Sequence, residues 1–557
     1  MARSACHAAK RRASAPAPST TEPQDSWRCV TQPDTEPPQF PFCPVRIPGP
    51  QLDTTKSYSP LELFQLFFSE SVVQTLCDNT NKNGEQRKAQ GKKTHWFPVS
   101  VQEMYRYLSL VIVEANNMAT YWSRNRLYKL AFTESVMPRR RFEAITWTLH
   151  MSDPVEDAHN DRKRGSHGYD RLFRLRPLLD EIVVACKAFY DHHQALSIDE
   201  PMVASKNCIG LKQYMKAKPT KWGFKLFVLA DAHNGYTCDY NIYQGKLFTA
   251  TGKGPSFDAV VDLLDVAHLG TGYHIYVDNF YTSAALFRHL HQLCYGACGT
   301  ICQNRLGFPR AQNSMPKRAD RGAISWLRDG PLLYTKWMGI REVTMCSTIH
   351  KVYSGDSVQQ RVRNRDGTWT TRRIPIPAPV KAYNRFMGGV DLSDGFLKLY
   401  NVAQKAQKWY KKLFYHFVDI AVVNSFLLQK EMTLAKGGKP LTQRQFREEL
   451  CVLLADCGRA AAPEEPTTTR GTEAATLGEA SATEEVECNS ITIVDTSLTE
   501  SRLKATEGRK YYVLCLKDKK CNKTIWKCES CNVPLCLTAD RNCYRAWHKN
   551  KKGQGAP

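Results

Sequence analysis

The chain has 557 residues and a formal net charge of +23, from 77 lysines and arginines against 54 aspartates and glutamates. That length exceeds what one compact core can use, so we expect roughly two to four structural units. The positive excess makes nucleic acid the first partner to consider, although an unrelated basic protein would fit the charge equally well. The sequence contains no apolar run of about 18 residues, so we expect no transmembrane helix.

The N-terminal segment, residues 1–56, is rich in proline and is predicted to be a disordered tail, because it cannot bury enough apolar surface to fold alone. Residues 1–20 lack the apolar core of a secretory signal. Their composition is close to that of a mitochondrial transit peptide, but they are poor in large apolar residues. The basic triplet Lys10-Arg11-Arg12 is compatible with nuclear import, so we expect a nuclear protein. In such a reducing compartment the 20 cysteines favour metal binding or free thiols over disulfides.

Residues 57–223 are predicted to be mostly helical. Apolar side chains recur at helical spacing after Ser59, a residue type that caps helix N-termini. The same spacing predicts further helices over 101–116, 140–150 and 175–192.

The hydrophobic period changes near residue 224, and residues 224–304 are predicted to combine strands and helices. A strand ending at Asp231 is followed by a hairpin partner, and a later strand ends at Asp278. This order is typical of an α/β fold. The predicted strands are 224–230, 235–243, 273–277 and 297–301, and the predicted helices are 256–268 and 283–294.

Residues 305–379 break this pattern and carry 14 lysines and arginines against 5 acidic residues. We interpret them as a basic β-rich insertion, with short strands such as 343–349. A long helix over 405–429 follows, with apolar side chains along one face. The remaining predicted divisions are the last part of the core at 380–396, a second helical part at 397–455, a solvated linker at 456–508 and a Cys-rich segment at 509–552.

Three aspartates stand at positions suited to catalysis. Asp231 and Asp278 end predicted strands, and Asp391 follows the glycine pair Gly388-Gly389. Open α/β sheets place their chemistry at the carboxyl ends of strands, so we expect these side chains to meet. Three carboxylates can hold two Mg²⁺ ions, which activate a nucleophile and stabilise the leaving oxygen of a phosphodiester. The spacing permits a nuclease without establishing one, because an aspartate at a strand end is usually a turn or capping residue.

Several sequence motifs occur in order along the chain. They are Ser197-Ile198-Asp199-Glu200, residues 218–231, Tyr276-Val277-Asp278-Asn279-Phe280-Tyr281-Thr282-Ser283, Tyr383-Asn384-Arg385-Phe386-Met387-Gly388-Gly389-Val390-Asp391, Trp409-Tyr410-Lys411-Lys412 and Asn424-Ser425. Together they resemble the piggyBac transposase family, over about residues 59–428 and again over 511–548. The resemblance implies a ribonuclease H-like α/β catalytic core over 224–304 and 380–396 with a β-rich insertion, a flanking, mostly α-helical region over 57–223 and 397–455 for dimerisation and DNA binding, and a small C-terminal Cys-rich zinc domain.

The same resemblance implies the site residues. The family's catalytic aspartates correspond to Asp231, Asp278 and Asp391, which would hold two Mg²⁺ or Mn²⁺ ions, and Asp394 matches a fourth family acid. Asp199 and Glu200 also match. Because these two precede the first predicted core strand, we interpret them as capping or salt-bridge residues.

The Cys-rich segment has cysteines and a histidine at spacings that suit tetrahedral Zn²⁺. A domain of about 40 residues needs a structural metal ion of this kind to fold. The resemblance implies a finger with two zinc ions. However, Tyr512 stands where the family has a cysteine, so one or two sites are possible, and unrelated free thiols are the alternative. The candidate ligands are Cys515, Cys528, Cys531, Cys536, Cys543 and His548, with Cys521 off the family pattern.

The implied activity is cut-and-paste transposition by a homodimer. It would consist of metal-dependent cleavage at transposon ends through hairpin intermediates, then strand transfer into TTAA target sites. The alternative is a domesticated DNA-binding protein without transposition activity, which Tyr512 and the N-terminal tail keep open. An RNA-binding protein would also fit the charge, but no RNA-recognition motif is present. Double-stranded DNA is the expected partner, and the candidate contacts are Arg372, Arg373, Lys411 and Lys412.

Overall fold

The computed structural model describes residues 31–459 except for 92–95, 114–121, 123–129, 217, 246–250, 310–314, 317–318, 364–366 and 403–405, together with short strands at 28–29 and beyond residue 489. The chain divides into two compact units, Met1–Ala462 and Pro463–Pro557, and each is described by itself.

The helices of the first unit are α1 (Pro60–Gln65), α2 (Glu70–Ala89), α3 (Val101–Ile112), α4 (Ala131–Val136), α5 (Arg139–Thr148), α6 (Pro154–Arg162), α7 (Arg176–Ala188), α8 (Pro255–Leu263), α9 (Val266–Leu269), α10 (Ala284–Gln292), α11 (Ala378–Phe386), α12 (Gly389–Leu399), α13 (Trp409–Ala435) and α14 (Gln443–Asp456). Its strands are β1 (Arg28–Cys29), β2 (Cys43–Pro44), β3 (Gly49–Pro50), β4 (Tyr190–Asp191), β5 (Ala195–Asp199), β6 (Met202–Ala204), β7 (Gln213–Tyr214), β8 (Trp222–Asp231), β9 (Thr237–Ile242), β10 (Gly270–Thr271), β11 (His274–Val277), β12 (Gly296–Thr300), β13 (Ile324–Asp329), β14 (Leu332–Met338), β15 (Glu342–Ser347), β16 (Ser357–Arg363) and β17 (Trp369–Pro375).

A mixed sheet organises the first unit. Its strand order is β1-β13-β14-β15-β12-β11-β5-β8-β6, and β7 and β9 also pair with β8. β11 lies parallel to both β5 and β12, whereas β5 and β8 are antiparallel. The centre of the sheet therefore has two neighbouring strands, β5 and β11, that end at the same edge.

Helices cover both faces of this sheet. On one face α11 and α12 pack against β5, β8 and β12, and on the other α7, α8 and α10 pack against β8, β9, β12 and β14. Tyr276 and Cys298 belong to the apolar cluster beneath α11, while Ile275 and Val277 belong to the larger core on the opposite side. Adjacent residues of β11 thus serve the two faces in turn, as the period of a strand requires.

Local sequence signals account for many of the elements. The predicted cap at Ser59 is confirmed, because its hydroxyl accepts from the backbone N–H of Glu62, whose carboxylate accepts from the backbone N–H of Ser59. α13 is 27 residues long, and its buried residues lie on every side. It is therefore an internal helix that joins the helical region to the sheet.

The structure departs from the sequence predictions in two regions. Residues 57–223, predicted to be mostly helical, contain β5, which lies at the centre of the sheet. Residues 305–379, predicted to be an insertion, contribute β13, β14 and β15 to the main sheet through the pairing of β15 with β12. Only β16 and β17 of this region, among its described strands, form a separate two-stranded ribbon.

The second unit is described only at four short strands, β18 (Ser490–Thr492), β19 (Lys510–Tyr511), β20 (Lys523–Thr524) and β21 (Trp526–Cys528). β18 pairs with β21 and β19 with β20, both antiparallel. In neither unit does a described helix combine the length and apolar composition needed to cross a membrane.

Candidate active site

The carboxyl ends of the parallel strands β5 and β11 bring three acidic side chains together. Asp199 is the last residue of β5, and Asp278 directly follows β11, whose last residue, Val277, pairs with Ile198. Because the strands are in register, both aspartates lie at one edge and on one face of the sheet. Carboxylate oxygens of Asp199, Glu200 and Asp278 all lie within 4.8 Å of one another. We call these three residues the acidic cluster.

Short-range hydrogen bonds hold the two aspartates in position. The Phe280 backbone N–H donates to Asp278 Oδ1 at 2.8 Å, and the Thr282 hydroxyl donates to the Asp278 carbonyl oxygen at 2.8 Å. These bonds close the turn between β11 and α10. Asp199 Oδ1 accepts from the next backbone N–H at 2.7 Å and lies 3.5 Å from Lys218 Nζ. Both carboxylates are therefore carried by rigid strand ends.

The acidic cluster is an unfavourable place for negative charge in the protein alone. Glu200 is 4% exposed, and its Oε2 has no hydrogen-bond partner among the residues described. Burial raises the pKa of Glu200; Lys225 opposes this effect, and the carboxylates of Asp199 and Asp278 add to it. Burial likewise raises the pKa of Asp278. Lys225 is itself buried, so it balances only part of this charge.

These properties fit a divalent cation. Carboxylate oxygens are the ligands that Mg²⁺ and Mn²⁺ prefer. The buried Oε2 of Glu200 has no hydrogen-bond partner among the described residues, and a bound cation would compensate its charge. Carboxyl groups whose pKa is raised by burial, gathered at the edge of a sheet, are also typical of functional sites. The acidic cluster is thus a possible metal site.

Asp391 lies in the first turn of α12, exposed, above the same face of the sheet. The Val390 backbone N–H donates to Ser197 Oγ at 3.0 Å, and a Cβ on Gly389 would lie only 2.5 Å from that oxygen. Ser197 precedes Asp199 by two residues on β5, so its side chain points to the same face. The start of α12 therefore covers the face that bears the acidic cluster, although Asp391 is not one of the residues within the 4.8 Å group.

The expectation that Asp231 meets Asp278 is wrong. β8 is antiparallel to β5, so Asp231 at the end of β8 pairs with Leu196 near the start of β5. Asp278 lies beyond the opposite end of β5, roughly 10 Å away along the strands and roughly 10 Å across two strand spacings. Leu196 and Asp199 are an odd number of residues apart, so Asp231 also points to the other face of the sheet.

Asp231 instead anchors a buried hydrogen-bond network. Its side chain is fully buried and accepts from the Tyr190 hydroxyl at 3.1 Å, from the His193 backbone N–H and ring Nδ1 at 2.9 Å each, and from the His233 backbone N–H at 2.8 Å. Burial acts to raise the pKa of Asp231, but the bonds and charge of His193 hold it below its ordinary value. The Tyr190 hydroxyl is also 3.2 Å from Glu431 Oε1. The network ties the end of β8 to β4 and α13.

The interpretation of Asp199 and Glu200 as capping or salt-bridge residues is incomplete. Asp199 does accept from the next backbone N–H and does pair with Lys218, but both acids lie in the acidic cluster. A signal for this was present in the sequence. Leu196 and Ile198 alternate with polar residues just before Asp199, as expected for a short strand that ends there.

The other predicted site residues have different placements. Lys411 cannot serve as a surface DNA contact, because it is buried and its Nζ donates to the carbonyl oxygens of Thr146 at 2.8 Å and Trp147 at 2.9 Å. Asp394 accepts a hydrogen bond from Lys398. Arg372 and Arg373 are exposed on β17, and Lys412 is half-buried. The predicted zinc ligands lie outside the described residues, apart from the backbone of Cys528 in β21.

The sequence of this chain is similar to those of known proteins. A family model described as Transposase IS4 matches residues 59–426. The human PiggyBac transposable element-derived protein 3 is 26% identical over 420 residues, which cover 73% of this chain and 66% of that protein. The human PiggyBac transposable element-derived protein 2 is 24% identical over 396 residues, covering 68% and 63%. The chain thus spans less than two thirds of the length of these two relatives.

A solved structure shares the fold. The cryo-EM structure of a piggyBac transposase synaptic complex with hairpin DNA matches with a TM-score of 0.63 at 21% identity, covering 74% of this chain and 83% of that one. This likeness confirms the expected α/β architecture with a ribonuclease H-like core.

Proposed function

Because the chain belongs to the Transposase IS4 family and is of the piggyBac type, we propose that it is a DNA transposase that cuts and joins DNA at the acidic cluster. The observation that carries this proposal is the convergence of Asp199, Glu200 and Asp278 within 4.8 Å at the ends of two parallel strands. Family membership supports this reaction class, and the geometry supports this location for it.

In the proposed reaction Asp199 and Asp278 would hold the cation, and Glu200 or Asp391 would provide a further oxygen. A bound Mg²⁺ would supply Lewis-acid polarisation of the phosphodiester and activation of the attacking hydroxyl. Lys218, which lies 3.5 Å from Asp199, is placed to contact a non-bridging phosphate oxygen as the strand enters the site. The rigid strand ends hold these groups in one geometry, which favours repeated in-line displacements at one place.

The finer steps are part of the proposal. Cleavage at the transposon ends would pass through hairpins, and the freed ends would join to TTAA sites. The solved neighbour is a synaptic complex with hairpin DNA, which supports the proposal of a hairpin intermediate. Two ends must be held together, so we propose a dimer, and we propose that it acts in the nucleus, as the basic N-terminal triplet suggests. We also propose that the Cys-rich segment binds one or two zinc ions.

The test is an excision assay with the element's own ends on a plasmid. Asp199→Asn and Asp278→Asn are expected to abolish cleavage and to leave DNA binding largely intact, because both carboxylates lie in the acidic cluster. Metal-dependent cleavage that survives in both variants would overturn the assignment.

One observation favours a second candidate function. The human relatives are by name transposable element-derived proteins, and this chain has Tyr512 in place of a family cysteine. A domesticated DNA-binding protein would bind transposon ends without cutting them. Binding with no cleavage under Mg²⁺ or Mn²⁺ would select this alternative.

A further inference from the structure

A second surface of the first unit has the properties of a nucleic-acid contact. β16 and β17 are seven residues each and pair with each other in an isolated two-stranded sheet. We call these two strands the basic ribbon. Its base is fixed, because Ile374 is buried and the Trp337 indole donates to the Pro375 carbonyl oxygen at 2.8 Å. The remainder of β17 before Ile374 is exposed.

One face of the basic ribbon presents arginines beside an aromatic ring. The register pairs Arg361 with Thr371 and Gln359 with Arg373, so Arg361, Arg373 and Trp369 share a face. The Arg361 guanidinium lies 5.6 Å from the centre of the Trp369 ring, which is 57% exposed. Neither Arg361 nor Arg373 forms an ion pair with a residue in the described part of the chain. Among the described residues, therefore, no carboxylate competes with an external anion for these two guanidinium groups.

The positive charge of the basic ribbon favours binding to a polyanion. Residues 357–375 contain five arginines and a single acidic residue, Asp366. We propose that the basic ribbon lies in the major groove of duplex DNA, with Arg361 and Arg373 contacting phosphates or guanine edges. The major groove of B-DNA is about 12 Å wide and admits a two-stranded ribbon, whereas the major groove of duplex RNA is too narrow for side chains to enter.

The position of the basic ribbon fits this role. Its second strand continues through Ile376 and Pro377 into α11. On α11, Phe386 packs against Tyr276 with ring centres 5.2 Å apart, and Tyr276 precedes Asp278 by two residues on the same face. A duplex held by the ribbon is thereby held at a fixed distance from the acidic cluster. This inference rests on the proposed function, which makes DNA the substrate.

The test measures equilibrium binding of duplex DNA to the full chain in an Asp199→Asn background, where cleavage does not interfere. Arg361→Gln/Arg373→Gln is expected to bind at least about tenfold more weakly near 0.1 M salt. The slope of log affinity against log salt should fall by about 2, since two phosphate neutralisations are lost. The single variant Arg373→Gln should give about half of that change in slope.

The matched control removes the same charge elsewhere. Lys253 and Arg341 are exposed and lie outside both the basic ribbon and the helical regions expected to bind DNA, so Lys253→Gln/Arg341→Gln should change affinity by less than about twofold. Thermal unfolding of both double variants is expected to equal that of the parent, because the substituted side chains are exposed. Equal losses in the ribbon and control variants would show a general charge effect and overturn the inference.

A duplex RNA of the same sequence separates groove binding from charge attraction. The parent is expected to prefer DNA, and the ribbon variant should lose that preference. An equal loss of affinity for both duplexes would refute placement in the groove. The two proposals can fail separately. If the parent cleaves DNA with metal but the ribbon variant binds DNA as tightly as the parent, only the proposal for the basic ribbon is wrong. If the ribbon variant binds more weakly but the parent never cleaves, only the catalytic proposal is wrong.

Discussion

The substitution Asp231→Asn separates a structural aspartate from a catalytic one. Asp231 Oδ2 accepts from the Tyr190 hydroxyl and from the His193 backbone and ring nitrogens, while Oδ1 accepts from the His233 backbone N–H. An asparagine can keep only one acceptor oxygen, so an NH₂ group would face donors or leave them unpaired. The substitution should therefore be destabilising.

The magnitude follows from these contacts. Breaking a buried, charge-assisted group of this kind costs about 3–5 kcal/mol. The His193 side chain is 38% exposed, so solvent screens part of its attraction, and we take the lower end, about 3 kcal/mol. With an unfolding entropy of about 2.1 cal/mol/K per residue over about 430 residues, the midpoint of thermal unfolding should fall by about 3 °C.

Asp199→Asn should have the opposite pair of effects, a small change in stability and a large loss of cleavage. Its Oδ1 acceptor is kept, and its repulsion with Asp278 and Glu200 is removed, so stability should change by no more than about 1 kcal/mol. Cleavage should fall by about a thousandfold or more, since a metal ligand contributes several kcal/mol to the transition state.

Thermal unfolding and cleavage of transposon-end DNA, measured on both variants, provide the comparison. If Asp231→Asn were as stable as the parent but inactive, Asp231 would take part in the chemistry and the strand-end argument would fail. Full activity of Asp199→Asn would refute the acidic cluster as the site.

Three further predictions concern other parts of the chain. The hydrogen bond to Asp231 raises the pKa of His193 above 6.5. The stability that this bond contributes is therefore complete below pH 6.5 and is lost as pH rises through the raised pKa. Urea unfolding from pH 5 to 9 should show this loss of stability, and His193→Gln should remove the pH dependence. Gly389→Ala should impair stability and cleavage together, because a Cβ there would lie 2.9 Å from the Asp231 carbonyl oxygen, whereas Gly395→Ala in the same helix meets nothing within 4 Å and should stabilise the protein slightly in an unfolding assay. Metal analysis of the full chain should find one or two zinc ions, and fewer after Cys528→Ser; an unchanged zinc content would exclude that ligand.

The sequence predicts where the core strands lie in the chain better than it predicts which strands pair with each other. The apolar runs near Asp231 and Asp278 identify β8 and β11 to within two residues, because each run reflects burial of its own side chains. A run of this kind does not specify direction or pairing partner, which depend on contacts distant in the sequence. The sequence therefore identifies Asp231 and Asp278 as strand-end residues, and only the antiparallel pairing of β8 with β5 shows that the two ends are opposite.

The short strand β5 was the element most difficult to predict. Its five residues follow His192, His193 and Gln194, and only Leu196 and Ile198 show the apolar alternation of a strand. Five residues give a weak periodic signal, and position at the centre of the sheet comes from pairing with β8 and β11. Without β5, Asp199 has no strand end to occupy, so the sequence alone favours a capping role for it.

The direction of the pKa shifts distinguishes the two groups of acids. The pKa of Asp231 is lowered, so its ionised form is favoured by folding and stabilises the protein above the unfolded pKa near 3.8. The pKa values of Glu200 and Asp278 are raised, so their ionised forms cost stability at neutral pH. A purely structural role does not explain such a grouping, because neutral side chains would fold better. Raised pKa values beside a third carboxylate, that of Asp199, are expected where a cation binds, and this supports our proposal that the chemistry takes place at this end of the sheet.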